Sequence, residues 1–346
     1  MICTLIRLLH DFLEAHGLFG YVRVFTYVEF RAVMALIVSF TIVLLLGKPM
    51  AAWLVRQKIK DNPEFHNKTL NDIMRAGNKS NTPTMGGILI TGTILFSTLL
   101  LADLSTREQG FYVWMALLCM LWLCAVGLVD DWLKLTRARR VPGSRDGLYS
   151  WEKLLLQLGL AVLLGIFIHH YGSTKLHPDP EAINRMSHAL SLPLLKSWEW
   201  SKELRDWVPS QSLIVLGPWA FVALTALVIT GSSNAVNLTD GMDGLASGVM
   251  CIVGSAFAVL ALLAGWENGS VAKFLLIPYI PNSDELAIVA AAMVGACAGF
   301  LWFNANPALM FMGDTGSLPL GGLIGFIAVV IRPWRCARYY SNTVLV

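Results

Sequence analysis

Residues 112–129 form an 18-residue run without one charged side chain. A hydrocarbon layer about 30 Å thick is crossed by about 20 mostly apolar helical residues. Seven further runs approach that standard, at roughly 26–46, 86–102, 154–170, 212–232, 244–264, 286–303 and 315–331. Their apolar residues are continuous rather than alternating, which argues for helices over a β-barrel. The weakest are 26–46, with Glu29 and Arg31 near one end, and 86–102, which is short and opens on Gly86-Gly87. The expected fold is all-α, a polytopic integral membrane helix bundle of about eight transmembrane helices. Composition agrees. Only 14% of residues are charged, against about 25% in soluble domains, and 55% are hydrophobic, which excludes a disordered chain. A net charge of +3 without an isolated basic stripe gives no reason to expect nucleic acid.

Six cysteines at 3, 119, 124, 251, 297 and 336 form no CxxC pair and read as small packing residues, not a disulfide framework. The opening MICTLIRLLHDFLEAHG has too short an apolar run for a signal peptide and reads as an interfacial helix.

Basic residues in the connections set the orientation. Segment 48–79 holds seven Lys or Arg and segment 130–153 holds six, while 103–111 and 265–285 hold one each. The connections after the first and third spans are therefore cytoplasmic and the N-terminus is outside. Segment 171–211 is also outside; its five basic residues are balanced by five acidic ones. Arg332, Arg335 and Arg338 break the pattern, since eight crossings leave the chain outside.

Three acidic clusters lie at span ends: GLVDDWLK with Asp130 and Asp131, NAVNLTDGMDG with Asp240 and Asp243, and NANPALMFMGDTGS with Asp314. Two spans separate each cluster from the next, so all five aspartates fall on the cytoplasmic side. Carboxylates near lipid cost about 2.5–3.5 kcal/mol at a helix centre and ask for a reason even at the ends. Mg²⁺ is commonly held by one or two carboxylates plus substrate phosphates, and basic residues on the same side would hold phosphates. The pattern suggests phosphoryl chemistry at a membrane surface. Bland readings stand beside it. A DD pair often sits on a solvated rim, and its two members point about 100° apart. DGMDG could be a turn, and Asp314 could merely cap the last helix. A fourth segment, NKSNTPTMGG at 78–87, is either a turn into the second span or a phosphate-contacting Lys and Thr at a helix start.

In that order and topology, NKSNTPTMGG, GLVDDWLK, SNAVNLTDGMDGLA and WFNANPALMFMGDTGSLPLGG resemble the phospho-N-acetylmuramoyl-pentapeptide transferase family, over roughly residues 20–331. The aspartates alone fit the wider polyprenyl-phosphate sugar-1-phosphate transferase superfamily. The resemblance implies ten transmembrane helices and an Mg²⁺-dependent reaction. UDP-N-acetylmuramoyl-pentapeptide and undecaprenyl phosphate give lipid I and UMP for peptidoglycan synthesis, on the cytoplasmic face of the bacterial inner membrane. It also implies a homodimer. It assigns Asp314 to the metal and Asp130 to the base acting on the lipid phosphate. Asp131 goes to the lipid-phosphate or metal site, and Asp243 beside them to catalysis. Lys79 and Thr84 fall near the nucleotide-sugar phosphates, Asn237 and Asp240 line the site, and Asn304 and Phe311 belong to the uridine pocket.

The match stops near Ile331, and the family's last two spans and PxHHH loop have no counterpart among the seven histidines. Residues 1–331 are therefore expected to be the transferase domain and 332–346 an aberrant tail of a truncated or frameshifted product, with impaired activity. Three alternatives stay open: a related transferase using another UDP-sugar such as UDP-N-acetylglucosamine, an inactive truncated member, and a cation transporter using the aspartates as ion ligands.

Overall fold

The computed structural model describes residues 1–57, 82–105, 110–138, 147–171, 189–190, 198–201, 206–210, 214–266, 270–275 and 277–331. Lys79, Cys336 and the proposed tail 332–346 lie outside them. Two short helices, α1 (Ile2–Leu8) and α2 (His10–Ala15), occupy the opening 17 residues expected to be one interfacial helix, and a third, α3 (Phe19–Val22), follows. Six long helices and one shorter one then alternate in direction: α4 (Val28–Arg56), α5 (Gly87–Leu101), α6 (Phe111–Ala138), α7 (Ser150–Tyr171), α8 (Pro218–Thr239), α9 (Leu245–Gly265) and, after the short α10 (Ser270–Leu275), α11 (Glu285–Asn304). The last described helix is α12 (Asp314–Ile331).

Among the described residues, seven helices are long and apolar enough to cross a membrane. The exception among the eight expected spans is α5, whose 15 residues rise only about 22 Å. It nevertheless joins the two ends of the bundle, because residues 82–86 and 102–105 extend it on either side. Four short strands are the departure from an all-helical expectation. They are β1 (Ala189–Leu190), β2 (Trp198–Ser201), β3 (Asp206–Pro209) and β4 (Ile214–Val215), with β1 antiparallel to β4 and β2 to β3. Two- and four-residue strands carry too little periodicity to be read from sequence.

Helices α11 and α12 are almost wholly buried, whereas α4 and α9 bury only a narrow stripe. The core is thus two central helices ringed by six. α11 packs between α4 and α9, and α12 between α6 and α8, with α7 outermost against α8. Without a hydrophobic drive between helices in lipid, close packing of small residues sets such contacts. At the N-terminal ends of α5 and α12, Gly87 and Gly316 meet backbone to backbone, leaving no room for a Cβ on either.

At the opposite end, Arg31 and Glu285 explain the charges that weakened the first span. Arg31 Nη1 and Nη2 donate to Glu285 Oε2 and Oε1 at 2.9 and 2.6 Å. Arg31 Nη1 also reaches Leu101 O, and Asp103 N donates to Glu285 Oε2 at 2.9 Å. Both side chains are buried, so the pair locks the ends of α4, α5 and α11 together. Beside it, burial and then the neighbouring Glu285 push the Asp284 carboxyl up to about 6.

Candidate active site

The three acidic clusters meet at the other end of the bundle. Asp130, near the end of α6, is completely buried. Its Oδ1 accepts from Leu148 N at 2.7 Å. Its Oδ2 accepts from Lys153 Nζ at 2.7 Å and Lys134 Nζ at 2.8 Å. Lys153 also donates to Asp314 Oδ2 at 2.7 Å, and Lys134 approaches the same oxygen at 3.4 Å. Asp314 Oδ1 accepts from Asn237 Nδ2 at 2.8 Å, and Asn237 also donates to Ser317 Oγ at 2.9 Å. Side chains from α6, α7, α8 and α12 therefore converge on one carboxylate.

Asp131 points away from its neighbour, as adjacent helical positions must. Its Oδ2 accepts from Thr315 N at 3.0 Å and Thr315 Oγ1 at 2.6 Å, and its Oδ1 from Asp314 N at 3.3 Å. These are the first free N–H groups of α12, so Asp131 caps that helix from across the bundle and fixes the residue that opens it. Gly313 makes this approach possible. It has φ +72°, and a Cβ there would lie 2.8 Å from Asp131 Oδ2 and 3.0 Å from Thr84 Oγ1.

Asp240 sits in the turn after α8 and accepts the Gly313 N–H. Burial first, then the negative Asp314 and Asp131, push its carboxyl up to about 7. Asp243 lies half-buried three residues on. Asn304 is spent on structure. Its Oδ1 accepts from Gly244 N at 3.0 Å and Ser247 Oγ at 3.2 Å, and its Nδ2 donates to Met310 O at 3.0 Å. It ties the DGMDG turn to the end of α11. Thr84 is buried where residues 83–87 run beside 311–312, through Phe311 N to Pro83 O at 2.8 Å and Gly86 N to Phe311 O at 2.9 Å. Phe311 is half-buried on that ladder. Lys79 is outside the described residues.

Asp130, Asp131 and Asp314 offer oxygens all within 4.8 Å of one another, a set that could hold a metal ion. The donor set is all oxygen, as a hard divalent cation requires. Two ammonium groups against three carboxylates leave one negative charge in excess. The residues present therefore fit such an ion.

In the sequence Lys134 and Lys153 stand out only as members of the basic connections that set orientation and would face phosphates, yet they hold the cluster together. A signal existed for both. Lys134 is four residues from Asp130 on one helix face. Lys153 lies in the first turn of α7, at the positive end of its dipole, where a cation is unfavourable unless an acid meets it.

A family profile described as glycosyl transferase family 4 matches residues 113–332. A motif described as phospho-N-acetylmuramoyl-pentapeptide-transferase signature 1 matches residues 79–90. The chain is 38% identical over 328 residues to a phospho-N-acetylmuramoyl-pentapeptide-transferase of Desulfotalea psychrophila, covering 93% of this chain and 78% of that one. It is 38% identical over 315 residues to one from Thermodesulfovibrio yellowstonii, covering 90% and 74%. With the bundle and its acidic end, these matches define a polytopic membrane transferase of glycosyl transferase family 4. Within that class, the chain belongs to the phospho-N-acetylmuramoyl-pentapeptide-transferase family.

Proposed function

We propose that this chain transfers phospho-N-acetylmuramoyl-pentapeptide from its UDP carrier to undecaprenyl phosphate, giving lipid I and UMP. The reaction takes place at the cytoplasmic face of the bacterial inner membrane. The observation that carries the reading is the meeting of Asp130, Asp314, Lys134 and Lys153 at one end of a membrane bundle. One substrate is a lipid and the other a soluble polyanion, so a polar site at a bundle end serves both. An oxygen of the lipid phosphate attacks the sugar-side phosphorus of the UDP-sugar. A new P–O bond forms, the diphosphate P–O bond breaks, and UMP leaves. Such transfer asks mainly for positioning and charge neutralisation.

Lys134 and Lys153 supply positive charge for the phosphates, and Asp130 takes the proton of the lipid phosphate when that group arrives protonated. Asp314, oriented by Asn237, with Asp130 beside it, would hold Mg²⁺, which when bound neutralises the diphosphate and the departing UMP. Asp131 keeps Asp314 at the head of α12. Lys79, Thr84, Asp240, Asp243 and Phe311 complete the nucleotide-sugar side, with Asn304 bracing it. A homodimer belongs to the same reading.

The test is UMP release by the purified chain in detergent from UDP-N-acetylmuramoyl-pentapeptide and undecaprenyl phosphate, with UDP-N-acetylglucosamine as competitor. Release that needs Mg²⁺, needs the lipid and disappears in Asp314→Asn is expected. Release supported equally by UDP-N-acetylglucosamine, or independent of the lipid, overturns it.

A further inference from the structure

Helix α7 is the least embedded part of the site. Of residues 151–159, Gln157 alone is fully buried, and it is polar. It lies one turn inward from Lys153 on the same face, at the head of the buried stripe Leu160, Ala161, Leu164 and Ile168. Its Oε1 accepts from Asn234 Nδ2 at 2.6 Å, and its Nε2 reaches Ser233 Oγ at 3.5 Å. Asn234 and Ser233 belong to α8, and Asn234 lies one turn inward from Asn237. Ser233 Oγ in turn donates to Leu318 O of α12 at 3.0 Å, one turn inward from Asp314. Three side chains and one carbonyl thus link the three helices that carry Lys153, Asn237 and Asp314, one turn beneath those residues.

Polar side chains at this depth are costly without partners, and with no hydrophobic drive between helices in lipid, interhelical hydrogen bonds add to close packing in fixing their rotation. α7 packs mainly against α8. Leucines on that seam would pack the helices together with less directional constraint on the register of α7. A 2.6 Å amide hydrogen bond supplies that constraint. A misplacement of about 1 Å at a reacting group can cost about 100-fold in rate.

We infer that Gln157, Asn234 and Ser233 form a positioning layer that sets Lys153 and Asn237 against Asp314, and so tunes both cation binding and turnover. The inference deepens the proposed phosphotransferase reading and rests on it for the kinetic readout. Its binding readout is independent of that reading.

The experiment compares wild type with Gln157→Leu, Asn234→Leu, Ser233→Ala and the exchanged pair Gln157→Asn with Asn234→Gln, all as full chains in detergent. Mn²⁺ alone is the binding probe, followed by its free-ion electron-spin signal. Each leucine variant is expected to bind Mn²⁺ about 10-fold more weakly and to lose about 10-fold in kcat, with KM for the UDP-sugar within twofold. Each single leucine strands the partner amide, so unfolding temperatures fall modestly, and the exchanged pair restores them. Ser233→Ala loses about threefold, and the exchanged pair recovers to within about threefold of wild type. Unchanged Mn²⁺ affinity and kcat in both leucine variants overturn the inference. So does a loss that follows unfolding temperature and is not rescued by the exchange. If wild type transfers nothing, the proposed reaction fails while Mn²⁺ binding still decides this inference.

Discussion

Lys153 is the side chain on which two buried carboxylates meet, at 2.7 Å from Asp130 and 2.7 Å from Asp314. Lys134 makes a similar pair of contacts from a more open position, with its side chain 40% exposed against 20% for Lys153. Water screens the more exposed charge, so the two lysines are not equivalent. Lys153→Met should lower kcat about 100- to 1000-fold, the scale of losing one preorganised electrostatic partner. Lys134→Met should lower it about 10-fold. Arginine at 153 should not restore activity, because a planar fork cannot replace a compact ammonium between two carboxylates. UMP release measured at saturating substrate checks all three, and equal losses for the two methionine variants would count against the difference in burial. At this scale the sequence was legible where one helix supplies the geometry. The divergence of Asp130 and Asp131 follows from the helical angle alone. That Asp131 caps α12, or that Asn304 braces the DGMDG turn, depends on residues 184 and 60 positions away, and no local pattern encodes either.

The helices themselves could be read because lipid imposes one rule on every span. Runs 286–303 and 315–331 match α11 and α12 to within one residue at each end, and run 112–129 matches α6 except that the helix continues nine residues further, through Asp130 and Asp131 to Ala138. Where two elements cooperate, the reading was weaker. Arg31 counted against the first span only because its partner Glu285 opens a helix some 250 residues later. Removing one member of a buried ion pair strands the other and costs about 3–5 kcal/mol, whereas replacing both with apolar groups is often neutral. Glu285→Gln should therefore destabilise the protein by about that amount in detergent unfolding, and Arg31→Met with Glu285→Leu should recover most of it. A second prediction concerns the residue before α11. The Asp284 carboxyl titrates near 6 when folded, against an ordinary value of 3.8, so the folded state holds the proton more tightly. Its contribution to stability is complete below about pH 4 and is lost as pH rises through 6, for a fall of about 2–3 kcal/mol. Unfolding midpoints between pH 4 and 7 should show that fall in wild type and a flatter profile in Asp284→Asn. A profile unaltered by the substitution would refute the assignment.

Across the whole molecule, one end of the bundle gathers the aspartate cluster and the other is an ionic clasp, and the chain passes between them eight times among the described residues. Counting spans between the aspartate clusters was enough to place Asp130, Asp240 and Asp314 together, since an even number of crossings returns the chain to its starting face. That count survives α5 being only 15 residues long. Gly87 at one of its ends touches Gly316 beside the site, while Leu101 at the other accepts from Arg31 in the clasp. The proposed cytoplasmic facing of the acidic end rests on the basic connections and is open to direct measurement. Met242, in the turn after α8, is 69% exposed at the acidic end, and Tyr21, before α4, is 82% exposed at the other. The native cysteines among the described residues are buried or half-buried, so a new exposed cysteine should dominate labelling. Tyr21→Cys should react with a membrane-impermeant maleimide in intact bacterial cells, and Met242→Cys only after the membrane is opened. Labelling of position 242 from outside would turn the bundle over. The acidic end would then lie away from the cellular pool of UDP-sugars, and the proposed reaction could not proceed there.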